Sequence, residues 1–212
     1  MSDPSHVWHT EVIASETRSA LEALKEQISL GGFYLARGTA LALRFGHRRS
    51  EDLDFFNTAL FDEGNVLQSL QRVADLAVIA RGPHTLHLRI AGAKVSFLGY
   101  QYPLLFASDQ YLDLAIADAR DIACMKLEAV SSRGTRRDFV DLYVLARQYG
   151  LQELLRLFRD KYSGLNYSLP HMLKALTFFA DAEQDAVPDM LIDLQWKTVT
   201  AFFQREVPRL VW

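Results

Sequence analysis

Residues 33–57, FYLARGTALALRFGHRRSEDLDFFN, restrict the fold more than any other part of the chain. An apolar run ends at Gly38-Thr39, and a short helix-like stretch follows. After Gly46 and the polar residues 47–51, the chain re-enters an apolar run carrying Asp52 and Asp54. The order is strand, short helix, returning strand. In an extended chain alternate side chains share a face. Asp52 and Asp54 then project together while Leu53 and Phe55 turn into the core. Two carboxylates crowded together repel unless a proton, an Arg or a metal neutralises them. A divalent cation suits oxygen ligands spaced this way. A solvent-facing edge strand can also carry Asp-Leu-Asp, so the pair by itself leaves both readings open. The turn before it favours the metal. One helix and a return are enough to bring Gly38-Thr39 back beside the carboxylates. A glycine turn opening a helix lets backbone N–H groups approach phosphate oxygens.

The rest of the first half reads as a mixed αβ unit. Val7, Val12, Ile13, Leu21, Leu24 and Ile28 recur near helical spacing and predict a helix over residues 7–29, ended by Gly31-Gly32. Strands are expected at 33–36, 53–56 and 76–80, and helices at 39–45 and 64–74, with Gly46 closing the first. Leu86, Leu88 and Ile90 alternate with Thr85, His87 and Arg89, Ala91-Gly92 turns, and residues 95–98 return as a hairpin. From about Asp118 the period becomes helical. Helices are expected over 119–131, 138–149, 151–160, 170–182 and 188–206, with Pro188 in a first turn. The expected fold class is α+β: a mixed-sheet core over 1–117, then a helical bundle over 118–212 packed against it. Phe178, Phe179, Trp196, Phe202, Phe203 and Trp212 read as bundle core.

Charge and cysteine content exclude several classes. With a net charge of −3 over 212 residues, the whole surface is no polyanion trap, so nucleic acid would need a local basic patch. The single cysteine, Cys124, has no disulfide partner within the chain, reads as a buried helical thiol, and suits a reducing cytoplasm. No signal-peptide pattern opens the chain and no apolar run reaches membrane-spanning length. The histidines are too scattered for a zinc site.

Further candidates cluster around two stretches. Arg44, His47, Arg48 and Arg49 precede the carboxylates. They read as a solvated loop, Arg44 above all, although Arg48 and Ser50 also suit phosphate contacts because the Arg fork matches phosphate geometry. Lys126 lies among Ile122, Ala123, Cys124, Met125, Leu127 and Ala129, with Arg133 seven residues on and the same face exposed to it. It is either a snorkelling side chain or a buried functional cation. As a helix position it should tolerate alanine with little loss of stability. Arg133, Arg136 and Arg137 form the strongest basic patch. Asp138 and Asp141 follow, either as acids favoured at a helix start or as site residues.

The block GTALAL…HRRSEDLDFF, followed by DIACMKLEAVSSRGTRRDFVDLYVL, resembles the AbiEii/AbiGii abortive-infection nucleotidyltransferases. These are toxins of type IV toxin–antitoxin pairs within the DNA polymerase β-like superfamily, and the resemblance spans roughly residues 30–147. It implies a polymerase-β-like core and a transferase that moves a nucleoside monophosphate from an NTP to an acceptor hydroxyl. Asp52 and Asp54 would hold Mg²⁺, and Gly38, Thr39, Arg48, Ser50 and Arg133 would bind the nucleotide. Lys126 would be a catalytic lysine near the phosphates, and Asp138 would position it or act as general base. RNA, for example a tRNA 3′ end, is the implied acceptor, and a cognate antitoxin the implied partner. Two residues depart from the family pattern. Arg37 stands where the family has the first Gly of Gly-Gly-Thr, and Ser96 stands where a third carboxylate is usual. Those departures keep open a nucleotide-binding scaffold without catalysis, and a small-molecule acceptor remains a third reading.

Overall fold

The structure, a computed structural model, describes residues 7–25, 27 and 31–211. Residues 26, 28 and 29 of the first expected helix and Trp212 lie outside the described residues. The chain divides into two compact units, Met1–Asp118 and Ala119–Trp212.

The first unit is built on a seven-stranded mixed sheet. Its strands are β1 (Phe33–Ala36), β2 (Leu53–Asn57), β3 (Leu76–Gly82), β4 (Thr85–Ile90), β5 (Ala93–Gly99), β6 (Asp109–Tyr111) and β7 (Leu114–Ile116). Across the sheet the order is β3-β4-β5-β2-β1-β7-β6. β2 is antiparallel to β1 and parallel to β5, and β7 is parallel to β1. The apolar alternation sets one face of the sheet. Leu53, Phe55, Leu86, Leu88, Ile90, Val95 and Phe97 are at most 1% exposed. Full burial of each such side chain stabilises by roughly 1.5–3 kcal/mol. Helix α1 (Ser15–Lys25) packs on β5, and α2 (Arg37–Phe45) packs on β1 and β2. A short helix, α3 (Glu63–Ser69), precedes β3 and ends at Ser69, short of the 64–74 expected.

Several expectations change here. The helix predicted over 7–29 is only α1, preceded by a 3-10 turn at Thr10–Val12. Backbone bonds explain this. His9 N–H donates to the Leu43 carbonyl at 2.8 Å, and Ser50 N–H donates to the Val12 carbonyl at 3.0 Å. The segment is tied to its neighbours rather than to its own helical turns. Gly46 closes α2 as expected, with φ +62° and its N–H on the Ala42 carbonyl. A Cβ there would sit 2.6 Å from the His9 ring. The strands β6 and β7 carried no clear alternation and were not anticipated.

The second unit is helical: α4 (Ala119–Ser132), α5 (Arg136–Tyr149), α6 (Leu151–Lys161), α7 (Leu169–Ala175) and α8 (Trp196–Glu206). α4 packs against α5, α6 and α7, and α5 packs against α8. A fully buried ion pair, Lys161 to Asp121 at 2.7 Å, joins α6 to α4. Phe139 meets Phe179, Trp196 and Phe203 at ring-centroid distances of 5.1, 6.0 and 5.6 Å. Phe178 departs from the expected core and is 53% exposed. The helices expected over 170–182 and 188–206 shrink to α7 and α8, and Pro188 is not helical. Val187, Leu191 and Ile192 have helical spacing but are 69%, 38% and 43% exposed. Without a packed face, that spacing alone does not hold a helix.

Candidate active site

In the first unit, register brings the turn to the carboxylates. Ala36, the last residue of β1, pairs with Asp54 of β2. The chain therefore turns into α2 directly beside Asp54. Asp52 lies just before β2 and is exposed, Leu53 is buried, and Asp54 is partly exposed. The alternation leaves both carboxylates off the core face. Thr39 donates its hydroxyl to the Asp52 carbonyl and lies 2.8 Å from the Ser50 hydroxyl. Arg48 and Ser50 crowd over Gly38: a Cβ there would fall 2.6 Å from Arg48 Nη2 and 3.3 Å from Ser50 Oγ. Gly38, Thr39, Arg48 and Ser50 thus form one cluster at the start of α2. Its α2 N-terminus carries the partial positive charge that favours anions.

The loop before the carboxylates is not the solvated stretch expected from its sequence. His47 and Arg48 are 1% and 3% exposed. Arg48 donates to the Arg49 carbonyl at 2.9 Å. Arg44 pairs with Asp109 at 2.6 Å and stacks on Trp8, anchoring the start of β6.

Arg37 is the most informative departure from the sequence pattern. It enters α2 with φ +59°, in the left-handed region that glycine occupies freely. Its guanidinium lies 3.8 Å from Asp54 Oδ2 and 5.0 Å from the centre of the Phe56 ring. The backbone keeps the shape a glycine would give while the side chain supplies a cation to Asp54.

The donor set fits a magnesium ion carried with a nucleotide. Mg²⁺ is held by one or two carboxylates, with waters and substrate phosphates completing its shell. Asp52 and Asp54 offer the carboxylates, and the α2 N-terminus lies beside Asp54. Among the described residues no group of three or more His, Cys, Asp or Glu is placed to hold a metal. Ser96 of β5 is the register partner of Asp54.

In the second unit, Lys126 of α4 is 6% exposed, and its ammonium lies 2.8 Å from Asp138 and 2.6 Å from Asp141. Snorkelling is therefore not its state. Asp138 also accepts from the Thr135 hydroxyl at 2.6 Å and meets Arg133 Nε at 3.5 Å. Burial works to raise the Asp138 pKa. The charge and hydrogen bond of Lys126, the Thr135 hydroxyl and Arg133 outweigh it and hold the carboxyl below its ordinary value. Thr135 caps α5 through the Asp138 N–H, which explains why Asp138 sits where α5 begins. Arg136 is structural: its N–H groups donate to Asp185 and to the Ala182 and Glu183 carbonyls, and it stacks on Trp196. His171 and Lys174, which the sequence reading left without a role, line a cleft of about 300 Å³ with Arg133 and Phe178. Their separation of some forty residues from Arg133 hid that grouping.

The profile of the nucleotidyl transferase AbiEii toxin family of type IV toxin–antitoxin systems matches residues 97–210. The chain is 39% identical over 195 residues to an uncharacterized protein of Aquifex aeolicus, covering 88% of this chain and 93% of that one. Its fold is similar to that of MenT4, a nucleotidyltransferase toxin from Mycobacterium tuberculosis, at TM-score 0.61 and 18% identity, over 92% of this chain and 82% of that one. It is also similar to JHP933 from Helicobacter pylori, at TM-score 0.51 and 17% identity, over 91% and 92%. The matched profile includes Lys126, Arg133, Asp138 and Asp141, and it begins after the Gly38-Thr39 turn and the carboxylate strand. No helix among the described residues is long and apolar enough to cross a membrane. The chain belongs to the AbiEii family of type IV toxin nucleotidyltransferases and is a nucleotidyltransferase.

Proposed function

We propose that the chain transfers a nucleoside monophosphate from an NTP to an acceptor hydroxyl of RNA, with Mg²⁺, as a toxin acting in the cytoplasm beside a cognate antitoxin. The observation that carries this reading is the Ala36–Asp54 register, which places the Gly38-Thr39 turn and the α2 N-terminus beside a carboxylate strand. Asp52 and Asp54 would hold the metal, which would supply positive charge beside the phosphates of the nucleotide. Gly38 and Thr39 present backbone N–H groups to the triphosphate, while Arg48 and Ser50 bind and orient its oxygens. For Lys126 and Arg133 of the second unit the resemblance implies phosphate-binding cations, and the Lys126 ammonium is paired with Asp138 and Asp141 at 2.8 and 2.6 Å. Asp138, already engaged by Lys126, Thr135 and Arg133, positions that lysine. A free carboxylate would be a better base than one so fully paired.

Labelled NTPs with Mg²⁺ and total RNA test the reading. Transfer by the wild type and its loss in Asp54→Asn is the expected result. Binding of Mg²⁺–NTP with no transfer to RNA favours the scaffold reading, for which the ion pair of Arg37 with Asp54 is the supporting observation. Transfer to aminoglycoside-like acceptors but not to RNA favours the small-molecule alternative.

A further inference from the structure

One row of side chains crosses the sheet on the face opposite the core. Asp54 of β2 is the register partner of Ser96 of β5, and Ser96 is the register partner of His87 of β4. Adjacent strands lie about 4.8 Å apart, so Ser96 is the immediate lateral neighbour of Asp54. Leu53, Phe55, Val95, Phe97, Leu86 and Leu88 alternate with these three residues and fill the core. The three polar residues therefore share the other face. Ser96 is 6% exposed, and its hydroxyl lies 3.0 Å from His87 Nδ1. A serine alone cannot accept a proton near neutral pH, but a serine hydrogen-bonded to an imidazole can pass one on.

We propose that Ser96 and His87 form a proton relay that replaces the third carboxylate in nucleotidyl transfer. The proposal rests on the nucleotidyl-transfer reading of Asp52 and Asp54. The acceptor oxygen bonds to the α-phosphorus of the NTP, and the bond from that phosphorus to the bridging oxygen breaks. Pyrophosphate leaves with the electron pair. The acceptor proton passes to Ser96 Oγ as Ser96 passes its own proton to His87 Nδ1. Nδ1 must be unprotonated for this, which places the neutral imidazole's hydrogen on Nε2. Ser96 is the catalytic residue, and His87 acts through it.

Charged groups on neighbouring strands set the surroundings of the ring. Arg89 lies two residues along β4, and Lys94 is its register partner on β5. Asp54 lies on β2. On β3, Ala80 is the register partner of His87, and the next residue, Arg81, is engaged by Glu63 at 3.6 Å. Asp52 precedes β2 on the same side.

Five proteins test the relay: wild type, Asp54→Asn, His87→Gln, Ser96→Ala, and the double variant His87→Gln with Ser96→Asp. Transfer rates are read across pH, Mg²⁺–NTP affinity by calorimetry, and the histidine ring signals by NMR without nucleotide. General-base assistance amounts to about a hundredfold or more, so His87→Gln should lose at least that in kcat while its Mg²⁺–NTP affinity stays within twofold. The pH dependence of transfer should differ between wild type and His87→Gln. The double variant should recover transfer, because Ser96→Asp restores a carboxylate at the position. Ser96→Ala should shift the His87 ring signals in the nucleotide-free protein. Full transfer by His87→Gln with an unchanged pH profile overturns the relay while leaving the nucleotidyl-transfer reading intact, provided Asp54→Asn is inactive. A parallel loss of Mg²⁺–NTP affinity in His87→Gln also overturns it, since the histidine would then serve structure. An inactive wild type overturns relay and reading together.

Discussion

Arg37 shows how one residue's setting inverts what its type suggests. In the sequence Arg37 breaks a glycine pattern; in the fold it adopts the glycine conformation, φ +59°, and brings a cation within 3.8 Å of Asp54. A left-handed conformation costs a non-glycine residue roughly 1–2 kcal/mol, and the partly exposed ion pair returns little of it. Arg37→Gly should therefore keep or raise stability in urea unfolding, by up to about 1 kcal/mol once the added chain entropy is counted. Freed of its internal cation, Asp54 should also bind Mg²⁺ more tightly in the absence of nucleotide. A clear loss of stability would show that stacking on Phe56 outweighs the strain. Cys124 carries the opposite lesson, since the expectation from its neighbours agrees with its place in α4. Burial, the largest influence, pushes its thiol up to about 12. At pH 8 a thiol reagent should label the native protein only as fast as it opens, and fully labelled native protein would contradict the packing.

At the scale of the helix, Lys126 overturns the expectation that alanine would be harmless there. Its ammonium holds two carboxylates that are 2% and 0% exposed. Removing one member of a buried ion cluster leaves charge without compensation and costs roughly 3–5 kcal/mol. Lys126→Ala should lower the melting temperature strongly, so lost activity in that variant would not by itself prove a catalytic role. Asp138 adds a pH test. Its folded pKa is depressed by Lys126, Thr135 and Arg133 against the opposing effect of burial. The folded state therefore gains stability above the unfolded value of about 3.9 and loses it as pH falls through the lower folded value. Urea titrations between neutral and strongly acid pH should show that loss in the wild type. In Asp138→Asn the acid slope should be shallower, and an unchanged slope would mean the cluster is not coupled to folding.

For the whole molecule, ligand linkage reports the first-unit site without requiring turnover. A ligand at a hundred times its Kd stabilises the folded state by about 2.7 kcal/mol. Mg²⁺ with NTP should raise the melting transition of the wild type and not that of Asp54→Asn, while circular dichroism stays unchanged; equal shifts would remove Asp54 from the site. Strands β1, β2, β4 and β5, helix α2 with its Gly46 stop, and the helical second half were all legible in the chain. Their apolar residues follow period two or 3.6 in continuous segments, and a local pattern needs no partner to be read. Asp52, Asp54 and Gly38-Thr39 were legible for the same reason, being close in sequence and separated by one short helix. Tertiary structure alone decided the rest. It buried His47 and Arg48 in what read as a loop, left Phe178, Val187 and Leu191 exposed, and shortened the helices expected over 7–29, 64–74, 170–182 and 188–206. It set Ser96 between Asp54 and His87 through strand register, and folded Asp138 and Asp141 onto Lys126. Those pairings depend on which elements lie side by side, and a hydrogen bond or ion pair across that distance leaves no period in the sequence.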